Sequence, residues 1–403
     1  MSEFNCNALT VKAVLLGASP IVILPSAAIS PALPAIQDYF AEVNNSEYWV
    51  RLVLTMPALS IIIGGLLAGQ IIDRIGRKTL LVSSMILASV SGVMGYGLDS
   101  LTFLILTRIA LGFAVAGAIT SVTTLIADYY EPKTRSTLMG LQSTVIATVG
   151  VVVLSLSGVL ADISWRSPFL IYLSPLLLVP FMMLWLREPI TDVLDEDSGQ
   201  PTLSWSQLPL LTIGVIYGVE LLHMFLFYLT PVQLPFYLRS SFDASASLSG
   251  VAIATMTFCQ AGSSLGYGWL KARLTFVNIL AIAFTFGCIG HTIVAVAPNL
   301  QFIVLGLAVS GLGFGLLFPN CKVWVTQAVA PKIRGRALGG LTTAFYIGEF
   351  LSPFASQTAV QWVGASGTYA LASGILGVVA VLALASSTKT ALMPSPDSFS
   401  NHS

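Results

Sequence analysis

The sequence predicts an all-α polytopic membrane protein, with twelve transmembrane helices in two pseudo-symmetric six-helix bundles. Three observations carry this expectation. Of 403 residues, 55% are hydrophobic and only 9% charged, whereas a soluble domain carries about 25% charged residues. Such a chain cannot cover a surface facing water. Its apolar residues also fall into twelve runs, each near the roughly 20 residues that span a bilayer. Finally, the two halves of the chain repeat one another at a fixed offset.

The runs cover 11–36, 49–72, 79–98, 101–127, 137–160, 166–186, 207–236, 245–270, 275–296, 300–327, 337–360 and 366–387. Pro20, Pro25, Pro31 and Pro34 fall inside the first. They would break a soluble helix, but neighbouring helices shelter such kinks in a membrane bundle. This first run is too long for a signal-peptide core, so no cleavable signal is expected. The stretch "EPITDVLDEDSGQPTLSWS" is the one long polar break. The expected organisation is therefore an N-terminal bundle over 1–187, a cytoplasmic linker over 188–206, a C-terminal bundle over 207–388 and a cytoplasmic tail over 389–403.

With both termini inside, the cytoplasmic side receives Lys12, Arg74, Arg77, Lys78, Lys133, Arg135, Arg187, Lys271, Arg273, Lys332, Arg334, Arg336 and Lys389. Only Arg51, Arg166 and Arg239 fall near the outer side. This asymmetry predicts both termini in the cytoplasm, and a bacterial inner membrane is the expected location. Basic and acidic residues balance at 18 each, so nothing points to a nucleic-acid partner. Cys6, Cys259, Cys288 and Cys321 show no paired spacing, so neither a metal site nor a disulfide is expected. The chain is expected to act as a monomer without a cofactor.

A shift of 199 residues places Gly69 on Gly268, Arg74 on Arg273 and Gly112 on Gly311. The same shift places Pro132 on Pro331, Arg135 on Arg334 and Gly140 on Gly339. One offset that satisfies two separate loops implies two halves built alike, with a substrate path between them near the bilayer midplane.

The chain's charge is concentrated in "GQIIDRIGRKTLLVSS", between the second and third runs. Gly69 allows close helix approach, Gly76 allows a turn, and Asp73 can pair with a cation on a neighbouring helix end. Gly69, Asp73, Arg74, Gly76, Arg77 and Lys78 together resemble the signature loop of the major facilitator superfamily, G-x-L-a-D-R-x-G-R-K. In helix 4, "LTRIALGFAVAGA" resembles that family's L-x-x-R-x-x-q-G pattern through Ile105, Arg108, Gly112 and Ala116, with Leu111 replacing Gln. The resemblance implies a gate-closing role for Asp73, joined by Asp128 and Arg135, and a cavity-side role in proton coupling for Arg108. An arginine inside a span costs about 2.5 to 3.5 kcal/mol on insertion scales. The motifs resemble the drug:proton antiporter branch in particular. The branch's helix-5 signature G-P-x-x-G-G is eroded, however, with Val153-Leu154 and Ser157-Gly158 in the corresponding places.

Three groups suit proton coupling. Glu220 and His223 sit three apart on helix 7, hence on one face, and both can change protonation in service. Glu220 is the first choice and Glu349, mid-span in helix 11, the second. Gln142, Tyr217, Gln233, Gln260, Asn320 and Lys322 are candidates for a substrate cavity. Tyr228 and its aromatic neighbours on helix 7 can line it or simply pack. His291 reads as structural. No catalytic or nucleotide-binding motif occurs, so the chain is not expected to be an enzyme, and uphill transport would draw on an ion gradient. The expectation is a secondary transporter of small organic molecules, exporting them in exchange for protons. The alternatives are a proton symporter or uniporter importing a metabolite, and a transporter-like membrane receptor.

Overall fold

The computed structural model describes residues 9–189 and 209–392. Most of the expected linker (190–206) and of the tail (393–403) lie outside the described residues. Among those residues every regular element is helical. The bent pair Leu9–Val22 and Leu24–Tyr39 forms α1. It is followed by α2 (Ser46–Ile75), α3 (Arg77–Met94), α4 (Leu101–Tyr129) and α5 (Pro132–Ile163), and by α6 (Ser167–Trp185). The second half contains α7 (Leu210–Phe242), α8 (Ala246–Lys271), α9 (Phe276–Ala295) and α10 (Leu300–Ala328). Two last helices, α11 and α12, lie on either side of Gly364 within Arg334–Leu392.

Eight helices, or nine with the bent α1, are individually long and apolar enough to cross a bilayer. The expected count of twelve differs from this at α3, at α8 and in the final stretch. In α3 the opening Arg77 and Lys78, and in both α3 and α8 several serines, dilute the apolar stretch. Two of those in α3 return their hydroxyls to their own helix, Ser83 to Leu80 O (3.0 Å) and Ser91 to Leu87 O (2.6 Å). Gly364 then divides the final stretch, because its φ of 73° and ψ of 177° end one helix and begin another.

The prolines of α1 show how a broken helix is tolerated where water is absent. The axis bends by 54° between Val22 and Leu24, and short 3-10 turns shift the backbone partners. Ile29 N donates to Ser26 O (3.4 Å) and Ala32 N to Ile29 O (2.9 Å). The displaced carbonyls take side-chain hydroxyls from neighbouring helices instead. Tyr172 of α6 donates to Pro25 O at 3.3 Å, and Ser157 of α5 donates to Ala28 O at 2.7 Å. This is the internal satisfaction that a lipid environment demands.

The described residues fall into two compact units. One comprises the stretch up to Ala254 together with Thr342–Thr358, and the other comprises Thr255–Leu341 with the residues from Ala359 onward. The first unit thus combines α1 to α6 with α7, the start of α8 and part of α11. In the second unit α9 is joined to α10 and α12 by small polar groups. His291 Nδ1 lies 3.0 Å from Ser310 Oγ, and Thr292 Oγ1 lies 2.6 Å from Ser373 Oγ.

Candidate functional site

The signature loop is built on a turn that its glycine makes possible. Gly76 has φ of 90°, and a β-carbon there would stand 2.6 Å from the carboxyl carbon of Glu188. The first amides of a helix have no partner within it. For α3 these amides are taken by Glu188, just beyond α6, whose two carboxylate oxygens accept from Arg77 N and, at 3.0 Å, from Lys78 N. Lys78 Nζ donates to Met183 O at 2.9 Å, tying the same two helix ends again.

The loop's ion pair joins Arg77 Nε to Asp128 at 3.3 Å. Arg135 caps the end of α4 by donating to Ala127 O (2.5 Å) and Tyr130 O (3.5 Å). Asp73 and Arg74 are exposed, and Asp73 makes no ion pair among the described residues. The carboxylate that grips the loop is therefore Asp128, with Glu188 as an unexpected second. Among the described residues, nothing lies within 4 Å of where a β-carbon on Gly69 would stand.

Arg108 is held between α3 and α6. It is fully buried, and its recorded partners are structural. Nη2 donates to the carbonyls of Ser91 (3.0 Å) and Gly92 (3.1 Å) in the last turn of α3. A cation is favourable there because the final carbonyls lack helical partners and carry the negative end of the dipole. Its guanidinium also sits over the rings of Phe169 and Tyr172 in α6. Neither Glu220 nor Glu349 is among these partners. Reading α4 alone could not reveal that the burying surface comes from α3 and α6.

Glu220 and His223 are both buried, with Oε1 and Nδ1 3.1 Å apart. Glu220 Oε2 has no hydrogen-bond partner among the described residues. Glu349 is buried as well, but its partner lies on another helix. The Tyr228 hydroxyl of α7 faces Glu349 and Ser26 of α1. Tyr346 also faces the Glu349 carboxyl.

The cavity candidates separate. Gln142 lines a small cavity of about 90 Å³ with Ser19 and Ile119. Gln233 is buried in a polar cluster described below, and Tyr217 is half-buried on α7. In the second unit, Asn320 is committed to helix packing, donating to Phe276 O (3.1 Å) and accepting from Tyr267 (3.4 Å). Lys322 is exposed and Gln260 half-buried.

At the end of the helices opposite the signature loop, the far face, first-half helices are tied to α7, α8 and α11. Arg51 is 3% exposed. Its Nε donates to Gln233 (3.0 Å), its Nη1 to Gln37 (2.8 Å), and its guanidinium lies 3.8 Å from the Phe236 ring centroid. Gln233 in turn donates to Ser356 at 3.0 Å. Asp38 pairs with Arg239 at 2.6 Å.

Asp162, at the end of α5, accepts from Ala246 N (2.8 Å), Ser247 N (3.1 Å) and the Ser247 hydroxyl, capping α8. Beside it, α5 and α8 meet backbone to backbone: a β-carbon on Gly158 would stand 2.6 Å from Ala246 O, and one on Gly250 2.5 Å from Leu154 O. Gly158 is the glycine that survives from the eroded helix-5 signature. Sequence reasoning noticed Arg51 only as a basic residue near the outer side and missed Asp162 altogether.

Among the described residues, a set of long apolar helices, two buried carboxyls and a charged loop at the end of α2 mark an integral membrane protein. A profile described as Major Facilitator Superfamily matches residues 15–229 and again 216–399, and the chain belongs to that family. It is 30% identical over 177 residues to "Multidrug resistance protein 1" of Bacillus subtilis (strain 168), covering 43% of this chain and 44% of that protein. It is 28% identical to a facilitated trehalose transporter homologue of Drosophila simulans, over 45% of this chain and 36% of that one. The chain thus aligns with less than half the length of these two relatives. A longer match, 25% identical over 392 residues, covers 87% of the chain and 82% of a putative proline/betaine transporter of Staphylococcus haemolyticus. Among solved structures, a D-xylose-proton symporter shares the fold at a TM-score of 0.75 and 17% identity, over 93% of this chain and 96% of that one.

Proposed function

We propose that the protein is a proton-coupled exporter of small organic molecules working by alternating access, with both termini and the signature loop on the cytoplasmic side. The observation that carries the reading is the position of Glu349. It is a buried titratable group on a second-half helix, facing Tyr228, which also faces Ser26 on a first-half helix. Alternating access moves one repeat against the other around a central site. A buried carboxyl close to that divide changes surroundings as the halves move, which is what coupling requires. Glu220 is the second choice, because its recorded partner His223 lies on its own helix and travels with it.

The far-face ties fit the same cycle, since they join helices of different halves and would break in the opposite state. Export rests on the two first-half motifs and on the likeness to the multidrug resistance protein. Import by proton symport is the second reading, favoured by the eroded helix-5 signature.

The test compares Glu349→Gln and Glu220→Gln in proteoliposomes, using the compound that most stabilises the purified protein in a thermal-shift screen of metabolites, siderophores and cationic dyes. Glu349→Gln keeps shape and hydrogen bonding but removes the titration. It should abolish gradient-driven accumulation and spare exchange at equal pH. Full accumulation in Glu349→Gln together with its loss in Glu220→Gln would transfer the role to Glu220.

A further inference from the structure

Residues 244–348 contain no aspartate or glutamate, yet they carry Lys271, Arg273, Lys322, Lys332, Arg334 and Arg336. The 199-residue shift places Arg74 on Arg273, Lys133 on Lys332 and Arg135 on Arg334, so the second half keeps these cations. It places Asp73 on Ala272, Asp128 on Gln327 and Glu131 on Ala330, so each carboxylate of the two loops is lost. In the first half Asp128 pairs with Arg77. Among the described residues no carboxylate pairs with Lys271, Arg273, Arg334 or Arg336. Aromatic rings stand beside two of them instead. Lys271 Nζ lies 3.8 Å from the centroid of Phe276, whose ring stacks on Trp324 of α10. The Arg273 guanidinium lies 4.0 Å from the centroid of Trp269, and its Nη1 donates to Trp269 O at 3.3 Å.

We infer that this end of the second half binds anionic phospholipid, with the phosphate on Lys271 and Arg273 and an acyl chain along α8. Trp269 closes an exposed apolar stripe of that helix, with Leu265 one turn before it and Phe258 three turns before it; the three are 63% to 72% exposed. Exposed Phe, Leu and Trp on a helix of a membrane protein are covered by hydrocarbon, and tryptophan favours the level where chains meet headgroups. The cation stacked on Trp269 therefore stands at the level of the phosphates. Arg273 is exposed, and a guanidinium offers a phosphate two parallel N–H donors. Arg334 and Arg336 open α11, where the positive end of the helix dipole disfavours a cation. An outside anion offsets that cost. The chain's own Asp192, Asp195, Glu196 and Asp197 are anions too, but carboxylates bring no hydrocarbon to cover the stripe. On the proposed topology the lipid belongs to the cytoplasmic leaflet, where anionic headgroups gather. The binding itself depends neither on transport nor on Glu349.

Native mass spectrometry of the full-length protein in detergent counts bound lipid directly. The protein is titrated with phosphatidylglycerol, or with phosphatidylcholine carrying the same acyl chains. Wild type should retain phosphatidylglycerol in preference. Lys271→Gln combined with Arg273→Gln should weaken that binding about 25-fold, at about fivefold for each basic residue near an anionic headgroup. Ala272→Asp, which restores the carboxylate of the first-half loop, should weaken it as well. Arg74→Gln combined with Lys133→Gln removes the same charge from the first half and should leave it near the wild-type value. A further variant, Asp192→Asn with Asp195→Asn, Glu196→Gln and Asp197→Asn, should also bind as wild type does.

Equal loss from the Arg74 and Lys133 pair would overturn the inference, because net charge alone would then attract the lipid. Equal retention of phosphatidylcholine would overturn it too, since the apolar stripe alone would then account for binding. Phosphatidylglycerol binding that emerges only when the linker is neutralised would assign this face to the linker instead.

Discussion

Gly158→Ala should hold the far ends of α5 and α8 apart. The added β-carbon would stand 2.6 Å from Ala246 O and 2.8 Å from Ser247 Cα. Both distances are to backbone, so no side chain can rotate out of the way. Overpacking of this kind costs about 1 to 3 kcal/mol, and the cost falls only on the state in which the two helices touch. At about 1.4 kcal/mol per tenfold, the ratio of open to closed far face should rise about 5- to 150-fold.

A reporter is available in Thr230 of α7, which is fully buried and whose hydroxyl has no partner among the described residues. It neighbours Pro231, whose carbonyl accepts from Ser30 of α1 at 2.6 Å. In a background without the native cysteines, Thr230→Cys should react with an impermeant maleimide about 5 to 150 times faster when Gly158→Ala is added. An unchanged rate in folded protein would show that this contact does not separate during the cycle, and the gate assignment would fail.

Asp162→Ala should raise the same labelling rate, since losing a cap costs about 0.5 to 2 kcal/mol. Asp162→Asn should stay near wild type because Asn caps well; equal effects of both would argue against capping. Glu188→Ala should lower thermal stability without greatly altering Thr230→Cys labelling, because its bonds to Arg77 N and Lys78 N lie within the first half. A large labelling change there would mean that the two ends are more tightly linked than proposed. Cysteines at Gly97 and Gly335, both exposed, should be labelled from opposite sides, Gly97 from outside. Labelling from one side would refute the proposed topology.

The spans were legible because burial in lipid leaves a simple signature, a long apolar run bounded by charge. Even the difficult first helix announced itself through its four prolines, although the sequence could not say which hydroxyls would rescue its carbonyls. What stayed hidden depends on pairs distant in sequence. Arg51 resembles any basic residue near a membrane surface until Gln37, Gln233 and Phe236 close around it. Asp162 and Glu188 cap helices that begin 84 and 111 residues away, and a pattern read along one helix cannot show this. Arg108 was recognisable as costly within a span, but its answer lies in the end of α3. Gly158 looked like the remnant of a lost motif and instead marks a backbone contact with α8.

The central claim is that movement of a small molecule is tied to movement of protons. Proteoliposomes loaded with the pH-sensitive dye pyranine test it most directly, with the screened compound added outside at equal pH on both sides. The account predicts a compound-dependent change in internal pH in wild type, lost in Glu349→Gln although exchange of the compound continues. Compound entering at full rate in wild type with no pH change, and indifferent to a protonophore, would contradict it and identify a uniporter.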